Sequence, residues 1–136
     1  RGRHRAAQAC SAGENPVSAP AVEAAVPVEV HQRRSWVARW IRRHAATADW
    51  AGAGIPLNAI APGIIRTPMT AQMISTPEAT ASLLELVPMP LHGVAEPAAC
   101  ASLIGWLTSP ENTHLCGQVV FIDGGSDVVL RGDSVW

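Results

Sequence analysis

One stretch, Leu57 to Thr70 (LNAIAPGIIRTPMT), limits what this chain can fold into more than any other. Its first half continues an apolar run, Ile55–Ala61, that scarcely alternates and so reads as a strand buried on both faces, and it stops at Pro62-Gly63. Small, turn-forming residues at the carboxyl end of a strand allow another molecule to come close to the backbone, and in an open α/β sheet that end is where ligands bind. Thr67, Pro68, Met69 and Thr70 then offer two hydroxyls and a helix start, with Thr67 as cap and Pro68 in the first turn, so that backbone N–H groups face the same crevice. Taken alone, a proline–glycine pair after a strand is an ordinary turn, and the rest of the chain has to decide its meaning.

The surrounding pattern is that of an α/β protein. From Ser35, a candidate cap, Val37, Trp40, Ile41, His44/Ala45 and Ala48 fall on one stripe while Arg39, Arg42 and Arg43 face away, predicting a helix that stops at Gly52 or Gly54. After Thr70 a proline-punctuated excursion predicts short helices over Met69–Ile74 and Glu78–Leu86, split at Ser75-Thr76-Pro77. Pro88 and Pro90 predict an extended Val87–Val94. Glu96-Pro97 opens the strongest helical pattern: Cys100, Ala101, Leu103, Ile104, Trp106 and Leu107 form a broad apolar face up to Thr108, and Pro110 closes it. Val119–Ile122 is a second buried strand, stopped by Asp123-Gly124-Gly125. Helix, short linker and strand in this order make half of a β-α-β unit.

Residues 1–35 differ from the rest. They are rich in Ala, Pro and Arg, prolines at 16, 20 and 27 interrupt any long element, and only AVPVEV alternates, predicting an irregular segment with one short strand near Val26–Val30. Two units follow: 1–35 irregular, and 36–136 a partial α/β domain.

Composition excludes several functions. No apolar run reaches the roughly eighteen residues that a membrane span needs, and no secretory pattern is seen. The three cysteines, 10, 100 and 116, lack C-x-x-C spacing, so free thiols in a cytoplasmic protein are expected. Histidines 4, 31, 44, 92 and 114 lack ligand spacing, so no metal site is expected. Residues 1–50 carry eight Arg against four acids and residues 51–136 two Arg against seven, but the basic half has no aromatics at a binding spacing, which favours a solvated helix face over nucleic acid. Cys100 reads as a small core residue, Arg131-Gly132-Asp133 as a chance tripeptide, and Asp123 as the residue fixing the last turn. There is no tyrosine, and all ten basic residues are arginine, so neither a phenol acid nor a lysine amine is available.

The order strand, Pro-Gly, excursion, long helix, strand, Asp-Gly-Gly is specific when taken whole. With PLNAIAPG (56–63), Ile-Ile-Arg-Thr-Pro-Met (64–69), Glu96-Pro97, WLTSP (106–110) and CGQVVFIDGG (116–125), residues from about Ala38 to Leu130 resemble the C-terminal half of a short-chain dehydrogenase/reductase. The IDGGSDVVLR ending resembles the branch of bacterial 3α-hydroxysteroid dehydrogenase/carbonyl reductases. The resemblance implies the C-terminal part of a Rossmann-like, doubly wound parallel sheet with two of the family's strands. It also implies an NAD- or NADP-dependent oxidoreductase acting on a small carbonyl or alcohol, hydroxysteroids included, and a homo-oligomer formed through the C-terminal helix and strand. Neither nucleic acid nor membrane enters this picture.

By the same resemblance Pro62 and Gly63 floor the nicotinamide pocket, Ile65 pairs through its backbone with the carboxamide, Thr67 bonds the carboxamide or pyrophosphate, and Met69 stacks near the ring. Residues 69–90 become the substrate loop. A planar amide held this way fixes which ring face meets the substrate.

The departures are as informative. Nothing resembles the family's glycine-rich phosphate turn. Its catalytic Tyr-x-x-x-Lys belongs near Val30–Gln32 and Arg34–Trp36, where neither residue stands, so no catalytic residue is assigned; Arg34 could reach a ribose hydroxyl, but nothing replaces the phenol. The abrupt start of the match predicts a dehydrogenase fragment, inactive alone and read out of frame before about residue 36; translating the other frames upstream tests this. The alternative is a non-catalytic dimerisation or interaction module.

Overall fold

The computed structural model describes residues 28–133. Its order is helix α1 (Val28–His44), a 3-10 turn (Ala51–Ala53), strand β1 (Ala59–Pro62), helices α2 (Pro77–Leu86) and α3 (Pro97–Leu107), strand β2 (Val119–Ile122) and helix α4 (Ser126–Arg131). β1 and β2 pair in parallel, Ala59 opposite Val119 through Pro62 opposite Ile122. Parallel strands cannot be joined by a tight turn, so α2 and α3 form the crossover, and the two carboxyl ends lie side by side. This is the α/β architecture that the sequence predicts.

α1 begins earlier than expected. No proline or glycine occurs between Val28 and Ala51, so the helix runs through Ser35, which sits inside it and not at its cap. The predicted strand is overturned over Val28–Val30, because a two-residue alternation with no partner strand among the described residues cannot compete with an uninterrupted helical stretch; Val26, Pro27 and the rest of the segment expected to be irregular before them lie outside the described residues. The helix stops at His44, short of Gly52 and Gly54. The His44 imidazole Nδ1 lies 2.7 Å from the Trp40 carbonyl, and Thr47 donates its hydroxyl to the His44 carbonyl at 2.7 Å, meeting carbonyls that the helix end leaves open. Gly54, at φ 76°, ends the 3-10 turn instead.

The predicted apolar stripe is buried only at Ile41 and Ala45; Val37 and Ala48 are exposed. Burying Ile41 contributes about 1.5–3 kcal/mol. The His44 ring stacks on Trp40, with centroids 4.4 Å apart, and Trp50 meets Trp40 edge-on.

β1 is shorter than the Ile55–Ala61 run and is half-buried along its length, as is most of β2. A sheet of two four-residue strands leaves both strands at an edge and only half-buried, so the expectation of doubly buried strands fails. Asn58 sets the entry: it donates to the Leu115 carbonyl (2.6 Å) and accepts from the Gln118 N–H (3.0 Å), clamping the approach to β2 against the start of β1.

α2 is capped by Thr76, whose hydroxyl accepts from the Ala79 N–H (3.1 Å), with Pro77 in the first turn. α3 starts at Pro97 as predicted, but its apolar face is not a core. Only Leu107 is buried, while Ile104 and Trp106 are 46% and 47% exposed. Asn112, 7% exposed, ties the end of α3 to β2 by donating to the Leu107 and Leu115 carbonyls and accepting from the Leu115 N–H. Asp123 caps α4, accepting from Gly125 (3.0 Å) and Asp127 (2.7 Å). Asp127 in turn pairs with Arg131, whose guanidinium lies over Phe121 and is held above its ordinary pKa by that carboxylate.

Two further expectations are corrected. Residues 68–74 form successive turns, not a helix; Met73 and Ile74 both donate to the Thr70 carbonyl, and buried Ile74 anchors the segment. Residues 87–94 are not extended throughout. Gly93 donates to the Met89 carbonyl (3.1 Å), closing a turn in which His92 and Gly93 take φ of 64° and 65°. Pro88 and Pro90 bar a helix there but leave a turn open.

Candidate functional site

The expected site residues follow β1 directly, at the end where the two strands finish. Pro62 is the last residue of β1, paired with Ile122, and the Gly63 N–H donates to the Ile122 carbonyl (3.1 Å). A Cβ on Gly63 would stand 2.8 Å from the Met89 methyl and 2.9 Å from the Asp123 Cα. The missing side chain is thus required on that side by contact within the protein, a reason that the sequence did not disclose.

Beyond Gly63 the chain makes one more parallel bridge, Ile65 with Ala95. Its bonds run from the Ala95 N–H to the Ile64 carbonyl (3.0 Å) and from the Arg66 N–H to the Ala95 carbonyl (2.8 Å). In such a bridge the N–H and C=O of the central residue point away from the partner. The Ile65 carbonyl accepts the Thr70 hydroxyl at 2.6 Å, while the Ile65 N–H has no partner among the described residues. Arg66 and Glu96, 2.8 Å apart, clip the bridge from the solvent side.

Thr70, not Thr67, closes the turn. Its oxygen accepts from the Thr67 N–H (3.0 Å), and its proton goes to the Ile65 carbonyl. Since Thr70 has a single proton, the 3.3 Å contact between the two hydroxyls has Thr67 as donor, leaving the Thr67 lone pairs as acceptors. Met69 projects outward, 89% exposed. Pro62, Gly63, Ile65, Thr67 and Met69 therefore lie along one continuous run beside the strand ends. Thr70, one of the two hydroxyls the sequence offered, and Met89 support the run; the role of Met89 escaped the sequence reading, where its signal was a methionine between two prolines in a segment expected to be extended.

Two shallow grooves lie elsewhere. One is between β1 and α3, around Asn58, Ile60, Ile104 and Leu107; the other is between α1 and the start of β2, around Arg42, Ala45, Cys116 and Gln118. Among the described residues no cluster of ligating side chains could hold a metal ion, and no helix is long and apolar enough to cross a membrane.

Residues 38–127 match the family profile described as Enoyl-(Acyl carrier protein) reductase. The chain is 40% identical over 91 residues to a 3-alpha-hydroxysteroid dehydrogenase/carbonyl reductase of Comamonas testosteroni, a match that takes in 67% of this chain and 34% of that protein. In structure it resembles the 3-alpha-hydroxysteroid dehydrogenase of Pseudomonas sp. B-0831 solved with NADH, with a TM-score of 0.58, 35% identity, and 71% of this chain and 37% of that one covered. It also resembles ElxO solved with NADP, with a TM-score of 0.55, 31% identity, and coverage of 66% and 35%. The chain spans about a third of the length of these relatives. With its parallel strand pair, the Pro-Gly exit of the first strand and the Asp-Gly-Gly exit of the second, the chain belongs to the short-chain dehydrogenase/reductase family and carries the C-terminal part of its Rossmann-type fold.

Proposed function

We propose that this chain forms the nicotinamide-holding part of an NAD(P)-dependent oxidoreductase that interconverts secondary alcohols and ketones, a hydroxysteroid among them. The observation that carries the reading is the Ile65 N–H, turned out of the Ala95 bridge and without a partner among the described residues, with the Thr67 hydroxyl two residues on. A carboxamide has one acceptor and one two-proton donor. The Ile65 N–H suits the first, and the Thr67 oxygen, whose lone pairs remain available, suits the second. Pro62 and Gly63 form the floor, and Met69, free to move over open surface, covers the ring. When bound, the nicotinamide supplies a site that accepts or gives a hydride. The residues of this chain orient it and present one face of it.

Proton delivery to the carbonyl oxygen needs an acid, for which the family uses Tyr-x-x-x-Lys; with no tyrosine and no lysine, these 136 residues hold the ring without completing turnover. We place the protein in the cytoplasm, as a homo-oligomer that covers α3 and α4, where Ile104, Trp106 and Val128 stand exposed.

Titration with NADH tests the reading: Trp36, Trp40, Trp50 and Trp106 report through energy transfer to the reduced ring. Binding with Kd of about 1 mM or tighter is expected, lost in Thr67→Val with stability unchanged. Absence of any saturable signal refutes the assignment.

A further inference from the structure

We infer that Met89 is the positioning residue that aims the backbone of Ile64 and Ile65 into the site. Its functional meaning rests on the reading of residues 62–69 given above; its geometry does not. Met89 is 4% exposed and occupies the cleft between the two strand exits. Its methyl group fills the space beside Gly63, 2.8 Å from where a Cβ would stand, and its own Cβ lies 3.1 Å from the corresponding point on Gly124. Its sulfur accepts the Ile64 N–H at 3.3 Å.

One side chain therefore touches the exit of β1, the exit of β2 and the peptide that leads into Ile65. The turn carrying it is itself fastened to the second exit, since the Leu91 N–H donates to the Gly124 carbonyl at 2.9 Å. Leucine would fill nearly the same volume but could not accept the Ile64 N–H. Thioether sulfur is a weak acceptor, yet this bond holds the Ile64 amide on one side of the residue whose carbonyl the Ala95 N–H holds on the other, so the peptide leading into Ile65 is fixed from both ends. The segment that the family resemblance implies is the substrate loop is thereby coupled to the peptide that, on the proposed reading, faces the nicotinamide, so movement of one is felt by the other.

Amide hydrogen exchange on the full chain tests this without any cofactor. In the unsubstituted protein the Ile64 amide should exchange more slowly than the unpartnered Ile65 amide. In Met89→Leu, a volume-conserving change that the fold tolerates, exchange at Ile64 should rise about tenfold while amides inside β1 keep their rates. Equal exchange at Ile64 and Ile65 in the unsubstituted chain, or an Ile64 rate untouched by Met89→Leu, overturns the proposal.

A second arm adds reduced nicotinamide mononucleotide and follows the Ile65 and Thr67 amide resonances. The expected result is a response in the unsubstituted chain and an affinity about fivefold weaker in Met89→Leu. A response of equal affinity in the two proteins also overturns the proposal. No response in the unsubstituted chain refutes the nicotinamide reading itself, and the exchange rates then decide the role of Met89 alone.

Discussion

Replacing Gly63 by alanine isolates the contact on which the strand exits depend. Gly63 does not hold a positive φ, so alanine is allowed by the backbone and the cost is steric alone. The added methyl would meet the Met89 Cε at 2.8 Å, the Asp123 Cα at 2.9 Å and the Asp123 carbonyl oxygen at 3.1 Å. Unstrained carbon contacts lie at about 3.5–4.0 Å, so each overlap is several tenths of an ångström or more.

Met89 could swing aside only by leaving its cleft, and Asp123 is backbone whose carboxylate caps α4, so relief requires the two strand ends to part. Overpacking of this kind costs about 1–3 kcal/mol, and two backbone contacts place Gly63→Ala near the upper figure. Against a typical total of about 5–15 kcal/mol that is a large share. The same chemical change at Gly105, inside α3 with nothing within 4 Å of its Cβ position, should stabilise by about 0.5–1 kcal/mol.

Urea denaturation followed by tryptophan fluorescence separates the pair: the midpoint should fall for Gly63→Ala and rise for Gly105→Ala, with unchanged slopes. Adding Met89→Ala to Gly63→Ala removes one contact of three and should not restore the loss. A Gly63→Ala protein as stable as the parent would refute the close approach of the strand ends.

Other substitutions probe the neighbouring features. Thr70→Val strands the Thr67 N–H and the Ile65 carbonyl and should cost about 1–3 kcal/mol in urea unfolding, whereas Thr67→Val, which loses only a 3.3 Å contact, should change stability by less than about 0.5 kcal/mol. Histidine at φ 64° is strained, so His92→Gly should raise stability by about 0.5–1 kcal/mol and His92→Val lower it by about 1 kcal/mol, read from the same midpoint. Asn112→Ala leaves the buried Leu107 carbonyl and the half-buried Leu115 N–H without their partner, while the Leu115 carbonyl keeps Asn58, and should cost about 1–3 kcal/mol. Size-exclusion mass at rising concentration should shift above that of a single chain, and Trp106→Glu on the exposed face of α3 should return it to the monomer value.

Much of this architecture could be read before any coordinates. Pro77 and Pro97 mark the starts of α2 and α3 because a fixed φ and a missing N–H suit only a first helical turn. Pro62-Gly63 and Asp123-Gly124-Gly125 mark the strand exits because a strand run cannot continue through them. The family resemblance of residues 38–127 rests on this same order. What failed was local reading beyond such markers. Val28 and Val30 alternate like a strand yet lie in α1, and Pro88 to Pro90 suggested extension where a turn forms.

Residue types with one conformational use, proline and glycine above all, act within a few bonds of themselves, so the sequence by itself determined where α2 and α3 begin and where the two strands end, while the order of the elements, through the family it resembles, implied that the strands are parallel. Which surfaces meet was decided only by the tertiary structure, because contact depends on residues far apart in the chain. The α3 pattern was apolar, yet only Leu107 found cover, and Gly63 proved to be shaped by Asp123 and Met89. The outward turn of the Ile65 N–H likewise follows from pairing with Ala95, thirty positions on, a choice of hydrogen-bond partner that no local pattern encodes.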